Sequence, residues 1–135
     1  MNPTLKNLLA SCAGFIVMMV MNMGLVILLG SIFPPPEGVD PNDVKSINNN
    51  LYRYSFFQLI MPFIAHAGGT LAGTFTAAKM ANSKKVLVVM ILATVHFFGG
   101  VMMVSMLNNS PMWFIVLDLG AAYFPMAWLG YKLSK

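Results

Sequence analysis

The sequence predicts an all-α integral membrane protein in which four transmembrane helices form one antiparallel, up-down bundle. Composition is the first reason: 58% of the 135 residues are apolar and 9% are charged. The mean hydropathy of +0.73 is too high for a soluble domain of this size. The second reason is that the apolar residues form four long runs without the strict alternation of a membrane β-barrel. The third is that most lysines flank these runs on one predicted side of the membrane.

Each apolar run is long enough, or nearly so, to cross a bilayer as a helix, which takes roughly 20 residues for about 30 Å of hydrocarbon. The runs cover about residues 8–33, 56–78, 86–107 and 113–133. The first run follows Lys6, as the apolar part of a signal peptide would. Its core is long, however, and no small-residue cleavage site follows it, so we expect a retained anchor. We therefore treat residues 1–135 as a single four-helix transmembrane domain.

The cations predict how the bundle is oriented. If four helices are threaded through the membrane, one side carries six lysines: Lys6, Lys79, Lys84, Lys85, Lys132 and Lys135. The other side has only Lys45 and Arg53. The positive-inside rule then predicts both termini in the cytoplasm of a bacterium, with the protein in the inner (plasma) membrane. Topology and contact with lipid also explain the net charge of +4, so the bilayer is the predicted partner and nucleic acid is not.

Residues 34–55 form the one long connection, on the predicted outer side. Its prolines stop the first helix. Asp40 can cap a new helix with Pro41 in the first position, and apolar residues follow at helical spacing. This pattern predicts a short amphipathic helix between the first and second transmembrane helices. We favour a plain connector, and the alternative is a lid over an outward-facing cavity.

Small residues recur every fourth position along one face of the second transmembrane helix. They are Ala65, Gly69, Gly73 and Ala77. In lipid, helices associate through close packing, and small residues let the backbones approach. This stripe therefore predicts that another helix packs here, either from the same chain or from a second copy.

Four polar side chains fall well inside the predicted spans, one on each helix: Asn22, His66, His96 and Asp118. At 1.5 Å per residue, both histidines lie near the midplane, about 15 Å from a helix end, and Asn22 lies at a similar level. Asp118 is shallower, about 8 Å below the outer edge. An ionisable group in hydrocarbon is costly and should face the bundle with a partner. We therefore predict that these four residues converge on one interior polar site.

Three roles are open for this predicted site. A structural hydrogen-bond network is favoured, proton or cation handling comes second, and ligation of a metal or a b-type haem by His66 and His96 comes third. No HxxxH or HExxH spacing supports a zinc site. Cys12 is the only cysteine, which excludes a disulfide within the chain and chemistry that needs two cysteines.

These features predict the function only at the level of a broad class of membrane protein. The favoured hypothesis is a structural or accessory membrane protein that acts through helix packing, either as a homo-oligomer or within a larger membrane complex. The alternative is a small oligomeric transporter or channel, coupled to protons or cations through the His/Asp site. A redox subunit that binds haem or a metal is the third hypothesis. The connections contain no nucleophile–base pair and no phosphate-binding loop, so an enzyme is disfavoured.

Overall fold

The computed structural model describes residues 2–135, and this part of the chain is helical without any strand. Its helices are α1 (Pro3–Ile32), α2 (Val44–Asn50), α3 (Phe56–Met80), α4 (Lys85–Met106), α5 (Met112–Ala121) and α6 (Phe124–Leu133). A 3-10 turn, Leu51–Arg53, follows α2. Four stretches are long and apolar enough to cross a membrane: α1, α3, α4, and α5 together with α6. These candidate spans indicate a multi-pass membrane protein.

Local capping explains where α1 and α3 begin. The side chain of Asn2 accepts a hydrogen bond from the backbone N–H of Thr4, and Pro3 occupies the start of α1. As a result, α1 begins five residues before the predicted run. Ser55 and Gln58 form a reciprocal capping box at the start of α3, which satisfies two N–H groups that would otherwise lack partners.

The fourth predicted helix, about 113–133, is two helices. Ala122 and Tyr123 form a turn between α5 and α6. Pro125 lies in the first turn of α6, and a proline has no N–H to bond the carbonyl four residues earlier, here that of Ala121. The prediction of one continuous helix is therefore corrected, and the break changes the direction in which Tyr123 points.

The helix in the long connection starts later than its sequence signals predicted. Asp43 caps α2, because its carboxylate accepts from the backbone N–H of Lys45. The carboxylate of Asp40, the predicted cap, instead accepts from the N–H of Asn42 in a turn. Extended backbone at Tyr54 and Ser55 separates α2 and its 3-10 turn from α3.

The small-residue stripe of α3 packs against α1 of the same chain. All four stripe residues are buried. A Cβ added to Gly73 would lie 2.5 Å from the backbone oxygen of Gly14 and 2.5 Å from Cβ of Met18. A Cβ added to Gly69 would lie 2.9 Å from Cβ of Asn22. The two backbones therefore approach so closely that no larger residue fits at these positions.

Hydrogen bonds show which ends of the helices lie together. Asn7, near the start of α1, accepts from the backbone N–H groups of Asn82 and Ser83 after α3. We call this the lysine end of the bundle. At the opposite end, which we call the loop end, Asn48 on α2 bonds to Asn108 and Asn109 between α4 and α5.

Candidate functional site

A cavity of about 340 Å³, partly open to the surroundings, lies between the helices at the loop end. Its walls are almost entirely apolar and come from α1, α3, α4, α5 and the connection that contains α2. Wall residues include Val26, Gly30, Ile47, Leu51, Leu59, Pro62, Met103 and Val104. The two ionisable side chains at its inner limit are His66 and Asp118. An apolar cavity with a few convergent polar groups is the usual form of a small-molecule site.

His66 and Asp118 form a close pair at the floor of the cavity. Nδ1 of His66 lies 2.8 Å from Oδ1 of Asp118. The Tyr123 hydroxyl donates to Oδ2 of Asp118 at 3.1 Å and lies 3.0 Å from Nδ1 of His66. Asp118 is only 1% exposed, whereas the His66 side chain is 18% exposed. The carboxylate is thus held from both sides, and the histidine is the more accessible partner.

These contacts fix a consistent arrangement of hydrogens. An ionised Asp118 is acceptor-only, so His66 donates through Nδ1–H and Tyr123 donates through its hydroxyl. Within residues 2–135, no hydrogen bond engages Nε2 of His66. Nε2 is therefore the ring nitrogen of His66 that is left for water or a bound group.

His96 joins the cluster through Thr70. The Thr70 hydroxyl donates to the backbone carbonyl of His66 at 2.8 Å and lies 2.9 Å from Nδ1 of His96. Because this hydroxyl has one hydrogen, it accepts from Nδ1–H of His96. The His96 ring packs 5.8 Å from the His66 ring and 5.1 Å from the Tyr123 ring, measured between centroids. His96 thus lies behind the residues that form the floor of the cavity and packs against them.

Asn22 lies elsewhere. Its Cβ packs near Gly69 in the α1–α3 interface, and no hydrogen bond joins it to the histidines or to Asp118. Its Oδ1 is the one buried side-chain oxygen or nitrogen without a partner in the described chain. The structure therefore brings together three of the four predicted site residues, His66, His96 and Asp118, and leaves Asn22 outside their hydrogen-bond network.

Sequence reasoning missed Tyr123, which is fully buried and touches both His66 and Asp118. Its signal was a tyrosine in the middle of an apolar run, two residues before Pro125. The helix break turns this side chain inward, toward Gly100 of α4. A Cβ at Gly100 would collide with the Tyr123 hydroxyl, so Gly100 makes the room in which Tyr123 reaches Asp118.

Adjacent glycines provide a matched test of this contact. We expect Gly100→Ala to displace Tyr123 and to lower the free energy of unfolding in detergent by about 1–3 kcal/mol, as overpacking does. Gly99→Ala is the control, because a Cβ there meets nothing within 4 Å. It should leave stability unchanged or raise it slightly through helix propensity. Equal effects of the two substitutions on chemical denaturation would contradict the contact.

The predicted metal and haem roles find little support in this geometry. The described residues contain no group of three His, Cys, Asp or Glu side chains that could hold a metal ion. A haem ligated by both histidines would need a flat space between their rings. The Tyr123 ring packs against both imidazoles, with centroids 5.7 and 5.1 Å away, so a porphyrin does not fit without rebuilding the cluster.

The connection between α1 and α3 lines the cavity at the loop end. Asn48 holds α2 to the α4–α5 turn: its Nδ2 donates to Oδ1 of Asn108 at 2.9 Å. Its Oδ1 and backbone carbonyl accept from Asn109, both at 3.0 Å. These bonds are exposed to solvent, where exchange with water costs little. The bonds that hold α2 to the α4–α5 turn are therefore ones that water can replace.

Comparison with known proteins identifies no relative. No protein-family model, no curated protein and no solved structure matches this chain. The cavity and the residues at its floor are therefore the basis for assigning a function.

Proposed function

We propose that this protein is a small membrane transport protein that binds a small molecule with an apolar body in the loop-end cavity. The observation that carries the proposal is the cavity itself, whose apolar walls end at His66 and Asp118. In this proposal the walls take up the apolar body, and the His66–Asp118 pair binds the polar end. An ionisable residue within a membrane helix is by default a candidate functional residue, and substrate and proton pathways are among its usual roles.

The accessory role favoured by the sequence depended on the small-residue stripe of α3. That stripe is covered by α1 of the same chain, so it offers no surface to a second copy or to another protein. Homo-oligomerisation and assembly with a larger membrane complex stay predictions. No other contact surface favours them as clearly as the cavity favours transport.

The second part of the proposal concerns how a molecule enters the cavity. We assign the loop around α2 as a lid, because Ile47 and Leu51 line the cavity while Asn48 holds the loop through exposed bonds. At the lysine end, the cluster of Ala10, Ala77 and Leu92 is tightly packed. The cavity is thus approached from the loop end, and transport requires a second conformation that opens the lysine end.

Membrane orientation follows from the same charges that the sequence analysis used. We propose an antiparallel bundle in a bacterial inner membrane, with both termini and the lysine end in the cytoplasm and the loop end outside. Cysteines introduced at Asn42 and Ser83, in a Cys12→Ser background, should therefore react from opposite faces with a membrane-impermeant maleimide. Labelling of both positions from outside intact cells would contradict this orientation.

Glycines on α1 allow the cavity to be blocked with a matched control. Gly30 lines the cavity, and Gly24 lines a shallow apolar groove on the outer face of α1. A Cβ at either position meets nothing within 4 Å. Gly30→Phe should thus fill the cavity, while Gly24→Phe should extend into the surrounding lipid or detergent.

The test uses probes that share a phenylbutyl body and differ in their head group: trimethylammonium, hydroxyl and sulfonate. At least one probe should raise the unfolding temperature of the purified protein and should enter proteoliposomes faster than protein-free vesicles. Gly30→Phe should abolish both effects, and Gly24→Phe should retain them. If no probe binds, or if both variants respond alike, the cavity is not the binding site.

A further inference from the structure

The charge at the cavity floor indicates what kind of polar group binds there. Asp118 is the one carboxylate within the four candidate spans, and it is almost fully buried at the end of an apolar cavity. A carboxylate offers about four lone-pair positions, and His66 and Tyr123 use two of them. Acceptor capacity therefore remains on this carboxylate, and its one ion-pair partner in the described chain is His66, whose charge depends on a proton that can leave.

Charged residues outside the membrane-spanning helices favour a positively charged ligand. Residues 34–55, beside the cavity, carry three carboxylates and two cations. The lysine end carries the six lysines of the predicted cytoplasmic side and no Asp or Glu side chain. A cation is thus drawn to the loop end more strongly than an anion, because like charges along the approach repel.

We propose that the ligand is a monocation with an apolar body and that its binding expels one proton from His66. This inference rests on the proposed function and names the class of molecule that the same cavity takes. Without ligand, His66 is protonated and neutralises Asp118. With ligand, the cationic group neutralises Asp118, and His66 keeps its Nδ1–H bond to the carboxylate while it loses the proton on Nε2.

The exchange balances in charge and in atoms. One positive charge enters the cavity, one proton leaves from Nε2 of His66 to water, and no covalent bond to carbon is made or broken. The buried site is neutral before and after the step, which avoids the large cost of an unpaired charge in a medium of low dielectric constant.

The groups that face His66 come from α4, α5, the α5–α6 turn and its own helix, α3. Asp118 on α5 and Tyr123 in the α5–α6 turn contact its ring, and His96 on α4 packs against it edge to face. Thr70 on α3 bonds its backbone carbonyl. Helix α1 carries no charged side chain after Lys6. The Asp118 carboxylate is therefore the dominant charge that a proton on His66 or a bound cation meets.

Binding of the three phenylbutyl probes to wild-type protein tests the inference. The trimethylammonium probe should bind about tenfold more tightly than the alcohol, and the sulfonate should bind more weakly than both. Because the trimethylammonium group carries no acidic proton, any proton released must come from the protein. Calorimetry in buffers with different ionisation enthalpies should give about one proton released per cation bound, and none per molecule of alcohol bound.

Two carboxylate-to-amide substitutions complete the test. Asp118→Asn should remove both the preference for the cation and the proton release, whereas Glu37→Gln, which removes one of three charges in the loop, should retain the proton release and most of the preference. If the alcohol binds as tightly as the cation and Gly30→Phe still blocks both, the inference fails while the proposed function stands. If no probe binds in a way that depends on Gly30, both fail. The head-group comparison uses wild-type protein, so it decides the question even if Asp118→Asn does not fold.

Discussion

Gly73→Leu is expected to cost at least about 3 kcal/mol of unfolding free energy in detergent, more than substitution of any exposed residue. A Cβ at Gly73 would lie 2.5 Å from both the Gly14 backbone oxygen and Cβ of Met18. The Gly14 oxygen belongs to the backbone of a long helix and cannot move aside as a flexible side chain could. A leucine would therefore push α1 away from α3 along much of their contact. Chemical denaturation followed by circular dichroism measures the effect.

Gly99→Leu on α4 is the matched control, because a Cβ there meets nothing within 4 Å. It introduces the same side chain into another transmembrane helix and should change stability by less than about 1 kcal/mol. Leu71→Ile on α3, away from the stripe, should likewise have a small effect. A Gly73→Leu protein as stable as the Gly99→Leu protein would show that the α1–α3 contact is not close.

Asp118→Ala should destabilise the protein by about 3 kcal/mol, since it removes one partner of a buried pair and leaves the other uncompensated. Two donors lose their acceptor at once, Nδ1–H of His66 and the Tyr123 hydroxyl. Tyr123→Phe removes a single hydroxyl and should cost only about 1 kcal/mol.

A double-mutant cycle distinguishes the interaction between His66 and Asp118 from the separate effect of burying each side chain. His66→Ala combined with Asp118→Ala should cost clearly less than the sum of the two single substitutions, because the second change removes a group that the first left unpaired. Additive costs would show that His66 and Asp118 do not interact. As a control, Glu37→Gln should leave stability unchanged within about 0.5 kcal/mol.

The long apolar runs anticipated most of the architecture. The four runs correspond to the four candidate spans, because apolar length is a direct physical requirement for crossing hydrocarbon. The break at Ala122–Tyr123 was missed, since Pro125 is compatible either with a kinked helix or with the start of a new one. Only the packing of Tyr123 against Gly100 distinguishes these alternatives.

The sequence predicted part of the polar site, because the depth of each polar residue in the membrane follows from its position along its helix. His66, His96 and Asp118 are costly in lipid, so each should face the interior of the bundle and have a partner there. Depth alone does not give the rotation of a helix about its axis. Asn22 lies at a similar level, yet it packs against Gly69 in the α1–α3 interface. The cavity was not predictable, because its volume depends on how far α1 stands from α4 at the loop end.

Photoaffinity labelling tests the central claim, that the loop-end cavity binds a small molecule, most directly. A phenylbutyltrimethylammonium analogue with a diazirine on its ring would be photolysed with the protein in nanodiscs, and the adducts mapped by mass spectrometry. We expect adducts on cavity residues such as Leu59, Met103 and Val104, abolished by excess unlabelled probe and by Gly30→Phe. Adducts confined to the outer groove of α1 at Ile16–Leu28, unchanged in Gly30→Phe, would contradict the claim.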